Sequence, residues 1–165
     1  MSASDDESPE YREVDPVVVK LAVFEIGERL FAFPGPQVAE ILPLPTIYFV
    51  PGCPPALEGV IDVRGEIWSA LRLGDLLGVA HRDESTAMRR RAVLLLGRTA
   101  AMQSALRVDA AVDVLDCPQD ALRSPPDTLP DPLGSLATGV FAYGERTVVV
   151  LDMERLFAAW LEGRD

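Results

Sequence analysis

The chain has one histidine and two cysteines among 165 residues. Cys53 and Cys117 are too few and too far apart for a disulfide scaffold, and they read as free thiols of a reducing compartment. One histidine and two isolated cysteines cannot supply a zinc site of the usual spacing. A Ser–His system would have to rest on His81 alone, and no nucleophile-elbow pattern accompanies it. His81 stands in a polar stretch and is expected to be solvated. No glycine-rich phosphate cradle of either common type occurs. No run approaches the roughly 20 apolar residues of a membrane span. The first residues are acidic, where a secretory signal would be basic and then apolar. These absences predict a cytoplasmic protein without cofactor, metal or direct membrane insertion.

Positive charge is scarce as well. The net charge is −11. Residues 1–16 hold six acids and one arginine and few large apolar groups, which reads as a disordered acidic tail. The remainder is also acidic. Nucleic acid and anionic lipid are bound through clustered Lys and Arg, so neither is an expected partner. The one basic cluster, Arg89-Arg90-Arg91, reads as a solvated entry to the next strand.

What is present is apolar and β-like. Apolar residues make up 48% of the chain, enough for a sizeable core. Val17–Ile26 and Leu30–Phe33 form a hairpin around Gly27. Pro34-Gly35-Pro36 ends it, and Val38–Leu42 resumes as a short strand. Residues 43–55 are proline-dense and read as an extended connection anchored by Ile47, Tyr48, Phe49 and Val50. Gly59–Val63 and Glu66–Leu73 flank a tight turn at Arg64-Gly65, where Gly65 can supply a positive φ. Ala92–Leu96, Ser104–Asp109 and Ala111–Leu115 read as further strands, and 117–135 as a second proline-rich loop. Gly139–Tyr143 and Thr147–Leu151 form a last hairpin. Met153, Leu156, Phe157, Trp160 and Leu161 make one stripe of a terminal helix, with Asp152 at its N-cap position.

The chain repeats itself. Gly59-Val60-Ile61 returns as Gly139-Val140-Phe141 at an offset of 80, and Leu71 and Leu76-Leu77 as Leu151 and Leu156-Phe157. Val23–Gly27 resembles Val93–Gly97, and Val38–Ile41 resembles Val112–Leu115. Each half thus offers about five short strands, which suits two small barrels. Each alone would have a marginal core, so an apolar interface between them is expected. The halves are roughly 17–80 and 90–152, with strand exchange between them allowed. A helix over 153–162 completes a domain of residues 17–165.

Two carboxylate groupings stand out. Asp109 and Asp113 lie on or beside one strand pair. Asp62 and Glu66 flank Arg64 and are placed to orient it toward a partner. A carboxylate beside a guanidinium is held charged, which suits an electrostatic contact and not a general acid. Only the first copy of the hairpin keeps an Arg-Gly turn. That asymmetry favours Arg64 as a contact residue over a folding residue.

The stretch Gly59-Val60-Ile61-Asp62-Val63-Arg64-Gly65, followed by Ser69-Ala70-Leu71-Arg72-Leu73, resembles the signature of the CheW family of chemotaxis coupling proteins. Phe24–Gly27 with Leu30-Phe31, Val38-Ala39-Glu40-Ile41, Val50-Pro51 with Pro55, Val108-Asp109 and Leu151-Asp152 follow the family's order over residues 19–160. The resemblance implies a mainly β fold: two five-stranded SH3-like β-barrels packed together, with a C-terminal helix. It implies no catalysis and no cofactor. It implies an adaptor that couples the cytoplasmic tips of methyl-accepting chemoreceptors to the regulatory domain of a CheA-type histidine kinase, recruited to membrane receptor arrays. Val38, Glu40, Gly59 and Arg64 match the family's interaction positions, and Asp62 and Glu66 join them as the neighbours of Arg64. Asp62, Ser69-Ala70 and Arg72 differ from the family pattern. An adaptor of a pilus, gliding-motility or other chemosensory pathway fits these residues too. A small β-barrel ligand-binding protein or enzyme would instead need a deep, polar cleft between the barrels.

Overall fold

A computed structural model describes residues 17–82 and 85–163. The acidic segment 1–16 lies outside the described residues. Ten strands are arranged in two sheets. They are β1 (Val18–Ile26), β2 (Arg29–Pro34), β3 (Val38–Pro43), β4 (Leu57–Val63), β5 (Glu66–Arg72), β6 (Val93–Arg98), β7 (Gln103–Val108), β8 (Ala110–Pro118), β9 (Ala137–Tyr143) and β10 (Arg146–Leu151). The helices are α1 (Leu73–Leu77), α2 (Thr86–Arg91), α3 (Leu133–Leu136) and α4 (Met153–Gly163).

The first sheet has the order β8-β1-β2-β10-β9 and the second β3-β6-β7-β5-β4. Each sheet is a hairpin (β1–β2 or β6–β7) joined in parallel to a second hairpin (β10–β9 or β5–β4). A single strand, β8 or β3, lies on the other flank. The two orders are the same once the repeat is applied. The exchange is reciprocal: β3, β4 and β5 of the first half share a sheet with β6 and β7, and β8, β9 and β10 of the second half share one with β1 and β2.

The apolar runs are explained by burial on two faces. Val148 and Val150 belong to the core inside the first sheet, with Leu21, Val23, Leu30, Ala32, Cys117 and Phe141. Val149 and Leu151, between them in sequence, face a second cluster. Leu94 and Leu96 likewise line the interior of the second sheet with Ile61, Val63, Trp68, Ala70 and Ala105, while Leu95 faces out. A strand buried on both faces reads as continuous hydrophobic sequence. The outward residues of both sheets meet in one shared cluster. Phe24, Phe31, Phe33, Leu71, Leu106 and Leu151 belong to it, and so do Met153, Leu156 and Phe157 of α4. The Phe24 ring lies 5.4 Å from that of Phe33 and 6.0 Å from that of Phe31. The expected apolar interface between the two units is this cluster.

The terminal helix starts as its sequence indicates. The Asp152 carboxylate accepts from the Arg155 N–H at 3.1 Å. Gln37, which the sequence did not single out, completes the cap. Its Oε1 accepts from the Met153 N–H at 2.8 Å, and its Nε2 donates to Asp152 at 2.6 Å. The 3-10 turn at Gly35–Gln37 therefore ties the start of β3 to α4.

One local expectation is corrected. His81 is not solvated: its side chain is 3% exposed. The Gly74 N–H donates to its Nε2 at 2.8 Å, and Nδ1 lies 2.8 Å from Asp109 Oδ1. An Nε2 that accepts must be unprotonated, so the ring is neutral and Nδ1–H donates to Asp109. Asp109 Oδ2 also accepts from the N–H groups of Gly27, at 2.7 Å, and Arg82, at 2.8 Å. Burial opposes the Asp109 charge, but the donors of Gly27, Arg82 and His81 outweigh it and hold the carboxyl below the ordinary range. Arg89-Arg90-Arg91 are exposed and lead into β6, as expected. These residues end helix α2, which Ser85 caps by accepting from the Met88 N–H at 3.3 Å. Cations in a last helical turn complement its dipole.

Candidate protein-interaction site

The β4–β5 hairpin reverses in two residues, with Val63 opposite Glu66. Both central residues have positive φ, Arg64 at 51° and Gly65 at 89°. That is the backbone of a type I′ turn. The turns at Gly27-Glu28 and Gly144-Glu145 place positive φ on their glycine alone. Arg64 is the one non-glycine residue with positive φ among the described residues. Such a conformation persists only where the surroundings fix it. Here Asp62 fixes it: its carboxylate accepts from the Gly65 N–H at 2.7 Å.

Asp62 therefore shapes the turn and does not orient the guanidinium. Glu40 does that. Arg64 Nη2 donates to Glu40 Oε1 at 2.7 Å and Nη1 to Oε2 at 3.3 Å, a two-point pair. Hydrogen bonding to Arg64 holds the Glu40 carboxyl below the ordinary range and in turn strengthens the guanidinium's hold on its proton. Glu66 turns to other partners, accepting from Gln103 Nε2 at 3.2 Å and Trp68 Nε1 at 3.1 Å. Those two bonds, Gln103 first, keep it ionised. Its charge acts on Arg64 only weakly, from a distance. Arg98 lies 5.2 Å above the Trp68 ring and donates to Gln103 at 3.0 Å. The ends of β5, β6 and β7 are thereby tied together.

The Arg64–Glu40 pair also spans a seam. β3 and β4 are the outer strands of the second sheet and share no ladder with each other. Leu42 of β3 nevertheless packs in the same cluster as Ile61 and Val63 of β4. The sheet is rolled, and the pair bridges its two edges through side chains. The first sheet has a counterpart at its own seam. Tyr143 of β9 donates to Asp113 of β8 at 3.0 Å, and that bond pushes the Tyr143 hydroxyl above its usual pKa. Asp109 and Asp113 thus serve separate partners and form no paired-acid site.

Gly59 has a different task from Arg64. A Cβ there would stand 2.2 Å from the Tyr48 carbonyl oxygen. Tyr48 and Val60 exchange both backbone hydrogen bonds, at 2.8 and 2.9 Å. The proline-rich connection closes against the free edge of β4 only because Gly59 has no side chain. Arg123 pairs with Val140 of β9 in the same way. Val38, the remaining candidate, is half-buried against the shared core and stands apart from the turn. The candidates thus divide: Glu40, Asp62, Arg64 and Glu66 gather at one end of the second sheet, while Gly59 and Val38 support it. Exposed apolar side chains lie on the same sheet and its connection: Ile41, Tyr48, Phe49, Val50 and Ile67. Phe49 is 74% exposed.

The family model of the CheW-like domain matches residues 20–159. The chain belongs to the CheW-like domain family. It is 26% identical over 139 residues to the probable chemotaxis protein CheW of Rhizobium etli, covering 84% of this chain and 87% of that protein. It is 24% identical over 133 residues to the chemotaxis protein CheW of Thermotoga maritima, covering 81% and 83%. Its fold is similar to that of the scaffolding protein TtCheW from Thermoanaerobacter tengcongensis, with a TM-score of 0.74 at 22% identity over 91% of this chain and 93% of that one. This CheW-like chain is accordingly a scaffold of the chemotaxis type and not an enzyme. It is mainly β, with two five-stranded sheets and a C-terminal helix. Neither sheet closes its ladder into a full barrel. The space between the sheets, where an enzyme reading placed a polar cleft, is filled by the shared apolar cluster. Among the described residues no helix is long and apolar enough to cross a membrane.

Proposed function

We propose that the chain couples the cytoplasmic tips of chemoreceptors to the regulatory domain of a CheA-type histidine kinase, within cytoplasmic arrays assembled at the membrane. Membership of the CheW-like family supports this reading. The observation that carries it is the Arg64 turn. An exposed guanidinium is held in a left-handed turn and paired at two points with Glu40, on a sheet that also carries exposed Ile41 and Ile67. A fixed charge among apolar anchors is the composition of an interface hot spot. Val38, Gly59, Asp62 and Glu66 shape and support that surface.

The Arg64 side chain is tested apart from its turn by two variants. Asparagine tolerates positive φ, so Arg64→Asn keeps the turn and removes the charge. Arg64→Ala removes both preferences. Both variants are expected to weaken binding to a kinase regulatory domain or a receptor-tip fragment by about tenfold or more, with the melting temperature of Arg64→Asn lowered only by the small worth of an exposed ion pair. Titration calorimetry reads the affinity. Wild-type affinity in both variants would remove Arg64 from the contact surface.

A further inference from the structure

A second charged centre lies at the tip of the β1–β2 hairpin, away from the Arg64 turn. Glu25 precedes the last residue of β1, and its side chain is only 10% exposed. Three guanidiniums converge on it from three elements. Arg82 comes from the loop after α1, at 3.6 Å; Arg91 from the end of α2, at 3.7 Å; and Arg146 from the start of β10, at 3.6 Å. These are ion-pair separations beyond hydrogen-bond range. Glu25 Oε1 and Arg82 Nε are both buried without a hydrogen-bond partner among the described residues. One carboxylate thus stands among three cations, a local positive excess in a chain of net charge −11.

Asp109 lowers that excess with its own charge, but its oxygens are taken by the Gly27 and Arg82 N–H groups and by His81. Glu28 offers Arg146 Nη2 its backbone carbonyl, at 2.6 Å. Arg29 rests over the Phe31 ring at 5.6 Å and adds a fourth cation at the tip. Two clefts flank it. One of about 570 Å³ is lined by Glu28, Arg29, Ala80, Arg82 and Met88 among others. The other, of about 410 Å³, is lined by Glu28, Arg29, Leu129, Arg146 and Val149 among others. Arg91 and Arg146 are about half exposed, at 52% and 46%, so their outer N–H groups are open to an incoming group.

We propose that this hairpin tip is an oxyanion-binding site. A phosphate or carboxylate group takes the guanidinium N–H donors that Glu25 gathers but does not saturate. Planar guanidinium forks bind both kinds of oxyanion at two points. Glu25 acts as the internal counter-ion that keeps the three arginines together when the site is empty. The site is independent of the Arg64 surface.

The test is titration of the ¹⁵N-labelled chain with inorganic phosphate and, separately, with glutarate, at constant ionic strength. Saturable shifts are expected at the amides of Gly27, Glu28, Arg82 and Arg146. The anion that saturates at the lower concentration names the source: a free phosphoryl group, or an acidic side chain of a protein. The double variant Arg91→Gln/Arg146→Gln changes exposed positions and is expected to lose the response while its other resonances stay in place. Glu25→Gln is expected to bind about tenfold tighter, because the competing anion is gone. Shifts that fail to saturate with either anion, or that persist unchanged in the double variant, overturn the proposal.

Discussion

Gly59→Ala is expected to lower stability by about 2–4 kcal/mol, the sum of overpacking and of a broken backbone bridge. The new Cβ would meet the Tyr48 carbonyl oxygen at 2.2 Å and Ile47 Cγ2 at 3.0 Å. The nearer atom is backbone and cannot yield by rotating a flexible side-chain end. The connection must therefore move off β4, and the paired bonds between Tyr48 and Val60 go with it. In a chain of this length such a loss lowers the melting temperature by roughly 5–12 °C. Gly65→Ala is the control. Its Cβ meets nothing within 4 Å, so only the cost of φ +89° remains, about 1 kcal/mol. Thermal unfolding of the two variants side by side checks the contrast. Equal losses would mean that Gly59 matters for conformational freedom and not for close approach.

Asp109→Asn is expected to cost a similar amount, about 2–4 kcal/mol at neutral pH, because charge-assisted bonds from buried donors are lost together. Asp109 is the knot of four segments. It receives the Gly27 N–H of the β1–β2 turn, the Arg82 N–H, and the ring of His81, whose other nitrogen receives Gly74 of α1. An amide in its place presents N–H against N–H on one side. The pH dependence follows from the direction of its shift. The folded carboxyl is held below its unfolded range. Its contribution is then fully present above the unfolded value of about 4 and is lost as pH falls through the folded value. Urea unfolding at neutral and at acidic pH measures it. The gap between wild type and Asp109→Asn should be wide at neutral pH and narrow in acid. A gap that stays constant with pH would mean that shape and not charge is what Asn removes.

The sequence made the local elements legible and left the distances between them hidden. The hairpins showed themselves through apolar, β-branched runs around Gly27, Gly65 and Gly144, and α4 through its apolar stripe and Asp152. The repeat predicted the likeness of the two sheets. The grouping of β3–β5 with β6–β7 and of β8–β10 with β1–β2 was not readable, because a strand's pattern reports which face is buried and not which neighbour it pairs with. The same limit explains Arg64. Its sequence neighbours Asp62 and Glu66 looked like its orienting partners, yet Glu40, 24 residues away, holds the guanidinium across the seam. His81 looked solvated because its neighbours are polar. Its burial depends on Asp109 and Gly74, which only the fold brings to it. Gln37 carried no signal at all, since a reciprocal cap 115 residues from Asp152 leaves no local pattern.

The seam pairs change the meaning of the hairpin asymmetry. Each rolled sheet joins its open edges through one side-chain pair, Arg64–Glu40 in one and Tyr143–Asp113 in the other. The Arg64 turn therefore has a role within the fold as well as an exposed position. What sets it apart from its counterpart is charge, a left-handed arginine, and the exposed aromatics of the connection that closes against β4. A turn that is rigid before binding loses little freedom on docking, which favours a contact built from few residues.

The coupling claim is tested most directly by sedimentation of the chain mixed with a CheA-type regulatory domain and a chemoreceptor-tip fragment. The account predicts one boundary containing all three components, and its loss in Arg64→Asn. A chain that binds neither fragment, or one for which the two fragments compete, would contradict it.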